Sequence, residues 1–168
     1  ILRQWDWNAD GKGPADALAV MLMRVGQRWH YQRQPELDPQ SELLTAATYL
    51  QQHFGRIDVP LGTVLRLRHG AVDFPLDGGP EILRAASTWD TTPDGHLVVN
   101  HGDSFVMFVS WLNGRVASES IQPYGAATTR PASPHYSDQA SLFVQHRLKP
   151  VWFYPNELKG NIERAYRP

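Results

Sequence analysis

The sequence predicts an α+β fold in which helices precede an antiparallel sheet. Apolar residues recur at helical spacing over the first 60 residues, whereas from Gly62 onward the period changes to two. The dipeptide Asn113-Gly114 separates two strand-like segments and favours a tight hairpin turn. We therefore predict a single segment of 168 residues, with residues 1–60 mainly helical and residues 61–168 mainly strands with two short helices.

Two helices are predicted in the first third of the chain. Pro14 begins the first, and its buried face carries Leu18, Leu22, Val25 and Trp29. The second begins with Asp38 as N-cap and Pro39 as first helical residue, and Gly55 ends it. Its inward face is formed by Leu43, Ala47, Leu50 and Phe54.

The strands follow from alternation and from one unbroken apolar run. Leu65 and Leu67 alternate with arginines, which indicates a half-exposed strand. Residues 97–99 lead through residues 100–104 into the central strand. Residues 89–95 are predicted as a polar loop. The run at residues 105–109 has no helical stripe and predicts a strand buried on both faces, with residues 115–122 as its hairpin partner.

A glycine- and threonine-rich passage at residues 124–129 precedes the string Ser133-Pro134-His135-Tyr136-Ser137-Asp138-Gln139. Ser133 and Pro134 predict a helix start, with Tyr136, Ala140, Phe143 and Val144 on its apolar stripe. Asp138, with Tyr136 and Gln139, is predicted to lock the preceding loop, as a structural clasp. Residues 151–154 predict a strand. Asn156 is predicted to cap a last helix whose inward residues are Leu158, Ile162 and Tyr166.

Bulk properties exclude several classes of protein. A formal net charge of −1 without a basic cluster argues against nucleic-acid binding. Zero cysteines exclude disulfides and thiolate metal sites, and no apolar run approaches the roughly 20 residues that span a bilayer. The chain starts at Ile1 without a signal peptide or an initiating Met, so we expect a fragment or a processed chain.

The order of strand, turn, strand, glycine-rich loop, the string at Ser133–Gln139 and then Lys149–Phe153 resembles the C-terminal end of the penicillin amidase family. These are N-terminal-nucleophile acylases of penicillins, cephalosporins and acyl-homoserine lactones. The Pro-Leu-x-Gly-Gly-Pro passage at residues 75–80 and Trp5-Asp6 resemble the family less specifically. The resemblance implies a C-terminal segment of an Ntn-hydrolase αββα sandwich, with an antiparallel sheet and covering helices.

The same resemblance implies that this chain is the C-terminal portion of an acylase β-subunit. The whole enzyme would cleave an acyl chain from an amine through an N-terminal Ser outside this chain, without a cofactor. The implied partners are the remaining acylase chain or chains that carry the nucleophile and a small amide substrate, in the periplasm or secreted. Penicillin, cephalosporin, acyl-homoserine lactone and lipopeptide amides all remain open as substrates, so a role in antibiotic metabolism is one of several.

The resemblance suggests one candidate catalytic residue here. Ile1 has no nucleophilic atom. In cephalosporin-type acylases a carboxylate near the C-terminal end orients a His, and Asp103 is the candidate for that role. The alternative is that Asp103 is an Asx residue bonded to nearby backbone. A third hypothesis, an independent hydrolase built on Ser104, His101 and Asp103, lacks the Gly-x-Ser-x-Gly pattern.

The His and Trp residues suggest two further functions, metal binding and ligand or partner binding. His96, His101 and His135 do not have the spacing of metal ligands, so no metal site is predicted. The six Trp residues (5, 7, 29, 89, 111 and 152) could make a non-catalytic ligand- or partner-binding domain of the same fold, although core packing is expected for at least four. If the chain belongs to a larger sandwich, its central strands should carry a bare apolar face when isolated.

Overall fold

The computed structural model of the protein describes residues 1–23, 38–79 and 87–162. The predicted inward residues Val25, Trp29 and Tyr166 lie outside these ranges. No helix within them has the length and apolar character needed to cross a bilayer.

The chain forms short helices and seven strands in the described ranges. The helices are α1 (residues 16–23), α2 (Pro39–Phe54), α3 (Leu61–Val64), α4 (Ala140–Phe143) and α5 (Pro155–Lys159), after a 3₁₀ turn at Leu2–Gln4. The strands are β1 (Leu65–His69), β2 (Val72–Pro75), β3 (Thr88–Thr91), β4 (Leu97–His101), β5 (Val106–Leu112), β6 (Arg115–Ile121) and β7 (Lys149–Val151).

Helix α2 begins and ends as its sequence predicts. The Asp38 carboxylate accepts hydrogen bonds from the backbone N–H of Gln40 and Ser41, which have no partner inside the helix. Gly55 ends the helix at a φ of 72°, a left-handed conformation that glycine adopts without a Cβ clash. Leu50 is fully buried, and Leu43, Ala47 and Phe54 pack against the core.

A four-stranded sheet of order β2-β1-β4-β3 carries the main core. Its central pair, β1 and β4, is parallel, so the expected antiparallel sheet is wrong at this position. Parallel strands need a long crossover, and here residues 70–96 between β1 and β4 include β2 and β3. The core residues on this sheet and on α1 and α2 are Leu18, Val20, Leu50, Leu65, Leu67, Trp89, Leu97 and Val99.

A second, three-stranded sheet of order β5-β6-β7 is antiparallel. Asn113 and Gly114 connect β5 to β6 with φ angles of 52° and 73°, which confirms the predicted tight hairpin. The prediction that β5 is buried on both faces is wrong for this chain. Its side chains are exposed on both faces, with Phe108 at 50% and Trp111 at 74% of full exposure, because no described element covers them. The expected bare apolar strand is therefore present.

The prediction that a helix starts at Pro134 is wrong. Residues 131–139 form turns, and only Ala140–Phe143 are helical. Ser133 Oγ instead accepts a hydrogen bond from the backbone N–H of His135 at 3.1 Å, which closes a local turn. The apolar stripe is retained, because Ala140 is buried in the core and Phe143 and Val144 pack against the core.

The end of the chain and the loop before β4 also differ from the sequence prediction. Strand β7 lies two residues earlier than predicted, and β3 occupies part of the predicted loop at 89–95. Tyr154, not Asn156, is the N-cap of α5, where Glu157 Oε2 accepts from the Phe153 and Tyr154 N–H groups. Leu158 and Ile162 are exposed rather than inward.

The prediction that at least four tryptophans pack in the core is wrong. Of the five that the structure describes, Trp89 alone is buried, whereas Trp7, Trp111 and Trp152 are exposed and Trp5 is half-buried. The mixture of helices with parallel and antiparallel strands confirms the α+β class.

Candidate functional site

The predicted clasp forms between the Ser133–Gln139 string and the glycine-rich loop. The Gln139 amide accepts from the backbone N–H of Gln122 at 3.0 Å and donates to the Gln122 side chain at 3.2 Å. Asp138 Oδ1 accepts from the Ala126 N–H, and its other oxygen lies 3.0 Å from His135 Nδ1. These contacts fix the loop through buried Gln139, so the role predicted for Asp138 and Gln139 is confirmed.

Gly125 is the point of closest approach in the clasp. A Cβ at this position would meet the His135 carbonyl oxygen, and would lie 2.7 Å from the Tyr136 carbonyl oxygen and 2.8 Å from Asp138 Oδ1. Only a residue without a side chain lets the two backbones approach this closely. The loop is thereby held against the string, and its opposite side is left to line a cleft.

That cleft is the candidate functional site. It has a volume of about 510 Å³ and lies where the parallel pair ends, since His69 and His101 are the last residues of β1 and β4. Its other walls come from the β4–β5 connection and the clasped loop. Its lining residues are Arg68, His69, Val99, Asn100, His101, Gly102, Ser104, Phe105, Gln122, Tyr124, Gly125, Ala126 and Thr128.

His69 is held rigidly in the cleft wall. Its ring stacks on Tyr136 with centroids 3.9 Å apart, and it lies 5.1 Å from the Tyr124 ring. Burial lowers the pKa of His69 below its ordinary value, and a hydrogen bond to the backbone of Tyr136 only partly offsets this. Its Nε2 is buried and has no hydrogen-bond partner in the described part of the chain.

Two amide side chains line the cleft, and the oxygen of each accepts a hydrogen bond from the protein. Asn100 Oδ1 accepts from the Thr88 hydroxyl at 2.6 Å, and Gln122 Oε1 accepts from Gln139 Nε2. The acceptor atom of each amide is thus engaged by the protein. The groups that remain to interact with a ligand are donors.

Arg68 supplies positive charge at the same wall. Its Nε donates to Asp73 Oδ2 at 2.9 Å, and the other oxygen of Asp73 accepts from Arg66 at 2.8 Å. Burial alone would raise the pKa of Asp73, but its hydrogen bonds with Arg66 and Arg68 outweigh burial and hold the pKa below the ordinary value. Two guanidinium groups therefore share one carboxylate, and the trio keeps an excess of positive charge.

The candidate residue Asp103 lies in the β4–β5 connection, half-buried beside the cleft but not in its lining. Within the described ranges its carboxylate accepts no backbone hydrogen bond and contacts no His, so the Asx alternative is not realised there. The orienting role of Asp103 stays a prediction. Ser104 and His101 both line the cleft, but in the same ranges neither is hydrogen-bonded to the other or to Asp103, as a Ser-His-Asp hydrolase requires.

Several cleft residues were not singled out from the sequence. Arg68 and His69 were assigned only to a strand, and Gln122 and Tyr124 to a strand end and a loop. Among the described residues, no group of three or more His, Asp or Glu side chains could hold a metal ion.

An α+β chain with a glycine-rich loop clasped by a Ser-Pro-His-Tyr-x-Asp-Gln string has the features of an acylase-like domain. The family model of penicillin amidase matches residues 5–160, and the chain belongs to the penicillin amidase family. The membership indicates a hydrolase in general. No curated protein sequence matches the chain significantly.

Proposed function

We propose that this chain is the C-terminal part of a penicillin-amidase-type acylase β-subunit, in which it supplies strands and covering helices to an Ntn-hydrolase αββα sandwich. The enzyme hydrolyses the amide between an acyl chain and an amine, through an N-terminal Ser that lies outside these 168 residues. The remaining acylase chain or chains are the partners, and the assembly acts in the periplasm or as a secreted enzyme.

The family match over residues 5–160 carries the proposal. The exposed strand β5 supports it, because a seven-residue apolar strand open on both faces fits a chain that packs against further polypeptide. The absence of a Ser or Thr hydroxyl bonded to a His ring among the described residues is consistent with a nucleophile elsewhere. We assign to Asp103, in the β4–β5 connection, the role of orienting a His from the early part of the β-subunit.

The proposal predicts that the native assembly, not the chain alone, is the catalyst. We expect intact-mass analysis under non-denaturing conditions to show a second chain, and N-terminal sequencing to show that this partner begins with Ser. The assembly should hydrolyse acyl-amine substrates, and replacement of that first Ser by Ala should abolish the activity without loss of assembly.

The isolated chain serves as the control for this experiment. It should show no amide hydrolysis above the uncatalysed rate. Activity of the isolated chain, or a native species that contains no Ser-initiated partner, would overturn the proposal. The second result would favour a non-catalytic binding domain of the same fold.

A further inference from the structure

We propose that the cleft at the ends of β1 and β4 binds a small carboxylate that carries an apolar body. The geometry points to this ligand class through three independent features of the wall: its charge, the free ends of its amides and its aromatic side. The proposal needs only the described residues and does not depend on the acylase function.

The charge of the wall excludes cations and favours anions. No Asp or Glu is among the thirteen lining residues, whereas Arg68 is. Because Asp73 is shared between Arg66 and Arg68, its carboxylate does not neutralise both guanidinium groups. The positive charge is only partly exposed, with the Arg68 side chain at 33%, so it is less screened by solvent than a free surface charge.

The amides of the lining favour a ligand that accepts hydrogen bonds. Asn100 lies on β4 and Gln122 directly follows β6, and both have their oxygen atoms occupied by protein donors. Each NH₂ group is a donor that a carboxylate oxygen can accept. Hydroxyls of Ser104 and Thr128 add further donors to the wall. A group with two acceptor oxygens and a negative charge is the ligand that this arrangement fits.

Part of the cleft lining is apolar. Phe105, which is 54% exposed, lines the cleft together with Val99 and Tyr124, and the Tyr124 ring lies 5.1 Å from the His69 ring. Aromatic and aliphatic walls with a few fixed polar groups are the usual composition of small-molecule sites. A volume of about 510 Å³ accommodates a ring or short alkyl chain together with its carboxylate.

The test compares benzoate with its uncharged analogue benzamide by isothermal titration calorimetry on the purified protein. We expect benzoate to bind and benzamide to bind at least about tenfold more weakly. Acetate, which lacks the apolar body, should also bind more weakly than benzoate. Equal affinities for benzoate and benzamide, or no benzoate binding, would overturn the proposal. Equal affinity for acetate would overturn its apolar part.

Isosteric variants locate the site. Asn100→Asp and Gln122→Glu each keep an oxygen for the bond from Thr88 or Gln139, but they replace the free donor by a second negative oxygen. Each should weaken benzoate binding by about tenfold or more, whereas Asn113→Asp in the hairpin turn, with the same change of charge, should leave it unchanged. Thermal melting checks folding, and if one cleft variant does not fold the other decides. Unchanged benzoate affinity in a folded cleft variant would contradict the assignment.

Discussion

The apolar side chains of the two sheets of this chain have opposite surroundings. In the four-stranded sheet, Leu65 and Leu67 are each 1% exposed, because α1 and α2 cover that face. In the three-stranded sheet, β5 is a purely apolar strand except for Ser110, and its side chains face open space. The first sheet carries a complete core, and the second lacks the layers that would complete one within the described chain.

The edge strands β2, β5 and β7 also differ from one another. β2 ends in Pro75, and β7 is three residues long and contains Pro150, two devices that discourage pairing with another strand. β5 has neither device, since its seven residues contain no proline and no charge. The comparison supports the proposal that β5 packs against further polypeptide in the assembly, whereas the first sheet is stabilised from within the chain.

The largest expected effect comes from a pair of truncations that compares the two regions. Leu50→Ala removes a side chain that is fully buried on α2, and it should lower the free energy of unfolding by about 2–5 kcal/mol. Phe108→Ala removes a larger side chain that is half-exposed on β5, and in the isolated chain it should cost less than about 1 kcal/mol. Urea denaturation measures both values.

The assembled protein provides the matched control for this pair. If β5 becomes interior in the assembly, Phe108→Ala should destabilise the assembly far more than the isolated chain. A Phe108→Ala cost in the isolated chain equal to that of Leu50→Ala would show that β5 is covered by the chain itself. The contrast between the two sheets would then be wrong.

The clasp connects the two sheets. Gly125→Ala tests how closely the glycine-rich loop packs against the Ser133–Gln139 string. The added methyl group would lie 2.7 Å from the Tyr136 carbonyl oxygen, so the loop must move and break part of the Gln139 and Asp138 contacts. We expect a loss of about 1–3 kcal/mol in urea denaturation. Gly160→Ala is the matched control, because its Cβ would meet nothing within 4 Å and its φ is −82°. Equal effects of the two substitutions would exclude a tight clasp.

The sequence predicted those features that depend on neighbouring residues. The caps of α2 follow from Asp38, Pro39 and Gly55, and the hairpin follows from Asn113-Gly114, because cap and turn conformations are determined within a few residues. The clasp was predicted from Asp138 near the start of the predicted helix, together with Tyr136 and Gln139 and the glycine-rich passage before them. Alternation of Leu65 and Leu67 predicted the buried face of β1 for the same local reason.

The features that the sequence did not reveal depend on distant contacts. An apolar run such as residues 105–109 predicts a strand that needs burial, but not whether its covering layers lie in the same chain. The parallel pairing of β1 with β4 depends on a crossover of 27 residues (70–96). The cleft residues became recognisable only when Thr88 and Gln139, distant in sequence, were seen to occupy the oxygens of Asn100 and Gln122.

Self-association of the isolated chain is a further test of the exposed strand. An unprotected apolar edge pairs readily with another strand, so we expect the 168-residue chain to dimerise or aggregate. Val109→Lys should weaken dimerisation by about tenfold or more, as sedimentation measures, because the ammonium group must be desolvated in the paired sheet. The matched control is Leu44→Lys on the exposed side of α2, which should leave association unchanged. Asp73→Lys is not a suitable control, because it breaks the hydrogen bonds of Asp73 with Arg66 and Arg68. A chain that stays monomeric would contradict this view of β5.

The smallest expected effect is an acid-dependent one in the turn between β3 and β4 of the first sheet. The Thr92 hydroxyl, which donates to Asp94 Oδ1 at 2.5 Å, and His96, 2.9 Å away, lower the pKa of Asp94 from 3.8 to about 2. A pKa lowered in the folded state contributes stability that is present above the unfolded pKa and lost as the pH falls through the folded one. The difference in stability between wild type and Asp94→Asn should therefore be constant above about pH 4 and shrink between pH 3.8 and about 2.

Because the Asp94 side chain is 60% exposed, solvent and salt screen the interaction, and the difference should be small and fall further at high ionic strength. Carboxyl NMR titration gives the pKa directly: a midpoint near 3.8 would mean that this turn contributes nothing to acid stability.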